Sequence, residues 1–223
     1  MRLFLSGGGS GEQSLELDRK FADAADKSKP ILYIPIAIDK EKYPYPECLK
    51  WINRVLNPLG IENIELWVEK ELRENPEREL EKFGGVYIGG GNTFYLLKEL
   101  KESGFLPKLQ KLVQKNIPVY GGSAGAIIHA KSITPALYAD PNDVKLTDLK
   151  AMNLLSGYDL WCHYDLSMES EVRFYQEKYK LKIVALPENC GLYVDDKDIQ
   201  VIGPGSAYLF GKKTKEIKPG KKI

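Results

Sequence analysis

A serine set among glycines is the residue of this chain best suited to covalent chemistry. Ser123 follows an apolar run and stands in the segment Gly121-Gly122-Ser123-Ala124-Gly125, after which apolar residues resume. The Gly-x-Ser-x-Gly spacing predicts a strand, a sharp turn and a helix, because small neighbours let the backbone fold back and push the hydroxyl out of the sheet. The free N–H groups and positive dipole end of that helix would point at the hydroxyl's surroundings. We therefore predict a nucleophile elbow with Ser123 at its apex.

A serine hydroxyl needs a nearby base before it becomes a good nucleophile, and the chain has two histidines. His129 lies six positions after Ser123 on the predicted helix, about 9 Å along its axis, and we expect it on a helix face turned away from the elbow. His163 follows a short apolar run at the predicted carboxyl end of a strand, where α/β sheets collect ligand-binding residues. We predict His163 as the base; a buried structural histidine is the alternative.

An imidazole base also needs an acceptor that holds its tautomer and stabilises its charged form. Glu188 is the best candidate, because it occupies a turn directly after the predicted strand Lys182–Leu186. Asp140 is the competitor. It stands before Pro141, and an aspartate before proline is most simply a turn former.

Two further glycine clusters follow predicted strands. Gly89–Thr93 lacks the last glycine of a dinucleotide-binding fingerprint and the lysine of a phosphate-binding loop. An oxyanion hole suits it better, with one N–H from Gly90 or Gly91 and a second from Ala124; a tight turn without chemistry is the alternative. The cluster Ser6–Gly11 could approach a substrate or could be only a turn.

The length and composition indicate a globular chain that can bury a substantial core. With 223 residues, 43% hydrophobic content and a net charge of +1, the chain is most simply one domain over 1–223. Its scattered basic residues do not resemble a nucleic-acid footprint, and no stretch is predicted to span a membrane or act as a signal peptide. We expect a cytoplasmic protein; no feature fixes an oligomeric state.

The three cysteines have no metal-ligand spacing, and their odd number argues against a disulfide framework. We expect Cys48, Cys162 and Cys190 to be free, structural thiols, and we predict neither a metal nor an organic cofactor. Neighbouring residues on a strand point to opposite faces, so Cys162 should face away from a site that His163 enters.

Strands alternate with amphipathic helices along the chain, which predicts an α/β fold of three layers, a mostly parallel sheet with helices on both faces. The predicted strands before the elbow are Arg2–Ser6, Pro30–Ala37, Ile61–Trp67, Gly85–Gly89 and Ile117–Gly121. The predicted helices are Leu15–Ala25, Glu47–Leu56, Pro76–Phe83, Thr93–Glu102, Pro107–Gln114 and Met168–Tyr179. The last runs should form a small antiparallel element at the sheet edge, namely Gly191–Val194, Ile199–Ile202 and Ala207–Phe210, with Lys212–Lys222 solvated.

Taken together, GGGNTF at 89–94, GGSAGA at 121–126, His163 and Leu186-Pro187-Glu188 resemble peptidase family S51, which includes aspartyl dipeptidases and cyanophycinase. The resemblance implies a fold like that of class I glutamine amidotransferases. It also implies a Ser-His-Glu triad of Ser123, His163 and Glu188, and hydrolysis of short peptides with an acidic residue beside the scissile bond. The chain order differs from the Ser-acid-His order of the α/β-hydrolases.

Two departures bear on the substrate. Family members tend to carry a tryptophan before the serine, where this chain has Gly122, so we expect a different pocket wall. They also carry basic residues between the histidine and the acid; here Arg173 is the only arginine in that interval and is the predicted substrate-binding residue. The sequence predicts a serine peptidase for short peptides, with Asp-X dipeptides as one substrate class. An amidase or esterase, or an inactive binding module on the same fold, is the alternative.

Overall fold

Seven strands form the central sheet of the protein, which a computed structural model describes over residues 1–74 and 77–223. Neighbours in the sheet are, in order, β3 (Ile64–Leu66), β2 (Ile31–Ile34), β4 (Gly85–Ile88), β5 (Val119–Gly122), β1 (Leu3–Ser6), β8 (Gly191–Val194) and β9 (Ile199–Ile202). The first five pair in parallel, whereas β8 runs antiparallel to β1 and β9 antiparallel to β8. The central strands are buried at nearly every position, as expected for a sheet covered on both faces.

Helices cover both faces of this sheet: α1 (Leu15–Ala24), α2 (Tyr45–Leu56), α3 (Glu69–Glu74), α4 (Thr93–Glu102), α5 (Phe105–Gln114), α6 (Ala124–Ile127) and α7 (Glu169–Tyr179). Alternation along the strands separates two cores. Leu3 and Leu5 pack with α4 and α5, whereas Phe4 packs in a second cluster with residues of α1 and α2. The predicted α/β architecture is confirmed. Within the described ranges, the helices are too short or too polar to cross a bilayer.

A second sheet of four strands lies beside the first. Its order is β11 (Thr214–Ile217), β10 (Ala207–Phe210), β7 (Ile183–Ala185) and β6 (Asp159–Trp161), with β6 and β7 parallel and the other pairs antiparallel. The terminal β element is therefore divided: β8 and β9 extend the central sheet, while β10 joins the second sheet. Lys212–Lys222 is mostly exposed, as expected, but it is more than a solvated tail, because β11 pairs with β10 there.

One predicted helix differs from the structure, and one observed helix was not predicted. Thr93–Glu102 is a helix as predicted, but the predicted helix Pro76–Phe83 is a 3-10 segment over Glu77–Lys82. Pro76 itself lies outside the described residues. The chain also forms α3 just before this segment, which the periodicity did not indicate.

His129 is a buried neutral residue and not part of a helix face, because α6 ends at Ile127 and the chain turns inward after it. Its Nδ1 lies 2.8 Å from the carbonyl oxygen of Gly125, so Nδ1 carries the proton and donates it. Burial lowers the pKa of His129 from 6.5 to about 4.

We expect His129 to make the fold sensitive to acid. Because its pKa is lower in the folded chain, the unfolded chain binds more protons, and the stabilisation present above pH 6.5 is lost as the pH falls towards 4. The shift corresponds to about 3 kcal/mol. Urea unfolding of a His129→Gln variant, whose amide can still donate to Gly125, should show a flatter dependence on pH over that window. An unchanged slope would assign the acid sensitivity to other groups.

Candidate active site

The predicted elbow is present at the junction of β5 and α6. Ser123 has φ 50° and ψ −112°, a backbone conformation that residues other than glycine rarely adopt. Flanking glycines make this turn possible, since a Cβ on Gly121 would lie 2.3 Å from the carbonyl oxygen of Gly125. A Cβ on Gly125 would lie 2.3 Å from the carbonyl oxygen of Ile88 on β4. The glycines let helix, turn and neighbouring strand approach closely enough to expose the hydroxyl.

The structure brings Ser123, His163 and Glu188 into one hydrogen-bonded chain. The Oγ of Ser123 lies 2.8 Å from Nε2 of His163, and Nδ1 of His163 lies 3.0 Å from Oε1 of Glu188. Both distances allow direct proton transfer or donation. His163, like Ser123, has a positive φ, at 54°. Two strained residues facing each other are typical of a functional site.

Glu188 is held in its anionic form. The hydrogen bond from His163 lowers the pKa of this carboxyl, and a second hydrogen bond from Gln13 lowers it further. The side chains of His163 and Glu188 are 48% and 49% exposed, so the relay is open to solvent. A carboxylate in this position selects the imidazole tautomer with the proton on Nδ1 and leaves Nε2 free to accept the proton of Ser123.

The first glycine cluster supports the relay rather than forming a simple turn. A Cβ on Gly8 would lie 2.2 Å from Cε1 of His163, so only a glycine lets the backbone pass against the imidazole. The carbonyl of Gly7 accepts a hydrogen bond of 2.8 Å from the backbone N–H of His163, and the N–H of Gly9 donates to the carbonyl of Glu188 at 3.2 Å. The loop therefore fixes the backbones of both the base and the acid.

Gln13 is a site residue that sequence reasoning missed. Its Nε2 donates to Oε2 of Glu188 at 3.2 Å, on the carboxylate oxygen that His163 does not use. The only signal in the sequence was its position just after the glycine cluster, and nothing there indicated which distant acid it would meet.

The predicted oxyanion donors lie beside Ser123, but Gly90 and Gly91 face different parts of the structure. A Cβ on Gly90 would lie 3.1 Å from Cβ of Ser123, so the Gly90 backbone packs against the nucleophile. A Cβ on Gly91 would instead meet the carbonyl of Ala37 on the other side of the turn. Across the described residues, no protein acceptor meets the N–H of Gly90, Gly91 or Ala124, so the contact with Ser123 is what separates the two glycines. The arrangement favours Gly90 over Gly91 as the partner of Ala124.

Asp140 and Arg173 bond to partners other than the imidazole, although Asp140 shares the wall of the smaller cavity with Ser123 and His163. Asp140 accepts a hydrogen bond of 2.8 Å from the N–H of Thr93 at the start of α4, so Glu188 and not Asp140 meets the imidazole. The guanidinium of Arg173 donates to the carbonyl of Gly211 and to the hydroxyl of Thr214, and it pairs with Glu169. These contacts hold the Arg173 side chain against the second sheet. The sequence had predicted Arg173 to bind substrate near the serine.

The cysteines are free thiols, as predicted. Cys162 does not face away from the site, however: its Sγ lies 3.8 Å from the carbonyl oxygen of Ser123. Strand alternation fails here because β6 ends at Trp161 and the backbone of His163 turns to positive φ. Burial raises the pKa of the Cys162 thiol and raises that of Cys190 to about 12, which keeps both protonated. In the part of the chain that the structure describes, no cluster of three or more His, Cys, Asp or Glu could hold a metal ion.

Two cavities open beside Ser123. The smaller, of about 50 Å³, includes His163, Trp161 and Cys162 in its wall. The larger, of about 500 Å³, runs from Ser123 past Gly122 towards α2 and lies within the size range of small-molecule sites. A substrate held at the serine would therefore have room on this side of the nucleophile.

Comparison with known proteins gives a consistent result. The sequence model of peptidase family S51 matches residues 3–202. A protein named Peptidase E from Pasteurella multocida is 27% identical over 198 residues, which cover 83% of this chain and 80% of that protein. Another Peptidase E, from Shewanella denitrificans, is 24% identical over 219 residues, covering 92% of this chain and 87% of that protein. A Drosophila melanogaster protein named "Probable alpha-aspartyl dipeptidase" is 36% identical over 107 residues, 47% of this chain and 41% of that protein.

Solved structures share the fold. A peptidase from an acI-B1 Actinobacterium superposes with a TM-score of 0.73 at 18% identity, covering 100% of this chain and 96% of that chain. A candidate peptidase E from Listeria monocytogenes superposes with a TM-score of 0.72 at 21% identity, covering 91% of this chain and 98% of that chain.

Proposed function

Because this chain belongs to peptidase family S51, we propose that it is a serine-type peptidase that hydrolyses short peptides through Ser123, His163 and Glu188. The observation that carries the proposal is the continuous relay from the Ser123 hydroxyl through the imidazole to the carboxylate, at 2.8 and 3.0 Å. An inactive binding module has no need of a base within hydrogen-bond distance of a strained serine, so the relay favours an enzyme.

In the proposed reaction, the Oγ of Ser123 attacks the carbonyl carbon of the scissile bond while Nε2 of His163 takes its proton. The imidazolium then gives that proton to the leaving amine, and the C–N bond breaks to leave an acyl group on the serine. His163 then takes a proton from a water molecule that attacks the acyl carbon; the bond from that carbon to Oγ breaks, the carboxylic acid leaves, and the imidazolium returns the proton to Ser123. Glu188 stays ionised throughout and stabilises the imidazolium through Nδ1.

The negative oxygen of the tetrahedral intermediate would accept hydrogen bonds from the N–H groups of Gly90 and Ala124. Both amides lie next to Ser123 and are fixed by tight turns, so they need little reorganisation during the reaction. Removing one such donor from comparable sites slows the reaction by about a hundredfold or more.

Asp-X dipeptides are the first substrate class we propose to test, because a relative carries the name of an alpha-aspartyl dipeptidase. Arg173 is not our candidate for reading the acidic side chain, since its guanidinium is committed to Gly211 and Thr214. A panel of dipeptides that varies the first residue, compared with simple esters and amides, separates a peptidase from an esterase or amidase.

Labelling with a fluorophosphonate probe tests the nucleophile directly. We expect the native chain to be labelled, and the Ser123→Ala variant to lose both labelling and peptide hydrolysis, because among the described residues Ser123 is the hydroxyl that bonds to Nε2 of the imidazole. Ser206→Ala is the matched control, since Ser206 donates to Glu216 on the second sheet and not to the relay. Undiminished labelling of Ser123→Ala would overturn the assignment.

A further inference from the structure

We propose that the larger cavity is the subsite for the C-terminal residue of the substrate, and that it selects a residue with an aromatic side chain and a free carboxylate. This inference rests on the proposed peptidase function, because it assumes that the scissile bond lies at Ser123. It adds which leaving residue the enzyme prefers and which groups recognise that residue.

Gly122 opens this cavity. It is the residue before the nucleophile, and its φ lies outside the left-handed region, so a larger residue could stand there without backbone strain. A Cβ at this position would lie 3.9 Å from the ring of Tyr120 and 4.0 Å from the hydroxyl oxygen of Tyr87, which is ordinary contact distance. A large side chain at 122 would therefore occupy the space in front of these tyrosines, whereas glycine leaves it to a ligand.

The walls of the cavity are aromatic. Tyr33, Trp51, Tyr87 and Tyr120 line it, and their rings already pack against one another at centroid distances of 4.3 to 6.5 Å. Rings in such an array present edges and faces to a further ring, and aromatic pairs add stabilisation beyond the area they bury. A small or acidic side chain would leave most of the roughly 500 Å³ unfilled.

The charges in the cavity wall favour a carboxylate. Lys42, Arg54 and Glu47 line it, and Glu47 already forms an ion pair of 2.7 Å with Lys50 outside it. Arg54 is exposed and makes no hydrogen bond or ion pair with another described residue, although its charge interacts with that of Glu47, and the ammonium of Lys42 lies over the ring of Tyr43. Two cations beside an aromatic pocket suit a C-terminal aromatic residue of the substrate, because that residue carries both a ring and the terminal carboxylate. A residue on the acyl side of a dipeptide would bring an ammonium group, which the two cations repel, and the short side chain of Asp there would leave the aromatic part of the cavity unfilled.

Hydrolysis of matched dipeptides tests the aromatic preference. With the first residue kept as Asp, and then as Ala, the native chain should have a kcat/KM for the Phe member at least about tenfold above that for the Ala member. Gly122→Trp should reduce this ratio to about one, because the indole fills the space that the Phe ring would take. Equal rates for Phe and Ala members in the native chain, or an unchanged ratio in Gly122→Trp, would overturn the proposal.

Binding of uncleavable analogues separates this proposal from the proposed function. Reduced analogues of Asp-Phe, Asp-Ala and Asp-Phe amide, with CH₂–NH in place of the scissile amide, are titrated by calorimetry. The free acid of the Phe analogue should bind about tenfold or more tightly than the other two, and the advantage over the amide should shrink in Lys42→Met and Arg54→Met. The control variant Lys197→Met, in the exposed turn between β8 and β9, should keep the advantage of the free acid over the amide. Equal binding of the three analogues would refute the subsite, even if Ser123 proves to be the nucleophile. Tighter binding of the Phe acid would support the subsite, even if Ser123→Ala still cleaved peptides.

Discussion

Replacing Glu188 by glutamine should lower kcat for peptide hydrolysis by about 10³- to 10⁴-fold, the scale seen when the acid of a serine triad becomes an amide. The side-chain amide can donate a hydrogen bond to Nδ1 of His163, which would move the ring proton to Nε2. That nitrogen, 2.8 Å from the Ser123 hydroxyl, could then no longer accept its proton. Steady-state kinetics on a dipeptide that the native chain cleaves measures the effect.

The change should act on catalysis and not on folding, because the Glu188 carboxylate is half exposed and its neighbours can rearrange in solvent. The control is Glu177→Gln, an exposed acid on α7 with the same chemical change. A Glu188→Gln variant within tenfold of the native kcat would mean that the carboxylate of Glu188 is not what orients the imidazole.

Replacing Gly125 by alanine should destabilise the fold by about 1–3 kcal/mol or more, the range observed when extra atoms are forced into packed interiors. The added Cβ would lie 2.3 Å from the carbonyl oxygen of Ile88 and 3.1 Å from that of Gly89, and both are backbone atoms that cannot rotate away. Either β4 or the elbow must move, so activity should fall together with stability. Urea unfolding gives the free energy of unfolding of each variant.

Gly211→Ala is the matched control for this change. Gly211 has no left-handed φ, and a Cβ there would lie 3.6 Å from the carbonyl oxygen of Lys213, which is ordinary contact. We expect its free energy of unfolding to stay close to the native value. If Gly125→Ala were equally harmless, the close approach of the elbow to β4 would not be a requirement of the fold.

Much of the candidate site could be predicted because its signals are local. The glycines two positions before and after Ser123 predict a tight turn, and a chain with two histidines offers few candidates for the base. Gln13 could not be predicted, since its role depends on a contact with Glu188 across 175 positions of sequence. Arg173 was predicted to bind substrate because it lies between the histidine and the acid in the sequence. Its orientation depends on β10 and β11, whose pairing no local pattern reveals.

The fold shows the same division between local and distant causes. Apolar patterning identified the parallel strands as continuous runs, because burial on both faces leaves such runs in the sequence, and it identified α4 by its helical period. It could not show that β6 and β7 leave the central sheet and pair with each other, since a buried strand has the same composition in either sheet. The terminal segment around Thr214 was misjudged for the reverse reason: an edge strand with exposed lysines resembles a solvated tail.

The division of the strands between two sheets has a consequence for the newly made chain. Ser123 ends a strand of the central sheet, whereas His163 and Glu188 follow strands of the second sheet and are synthesised later. A ribosome-bound chain that has reached only the elbow carries the hydroxyl without the groups that would activate it. Under the proposed mechanism, it is therefore inert towards peptides around it. The site is complete only after synthesis has passed Glu188 and β6 and β7 have docked, so the order of synthesis itself delays activity.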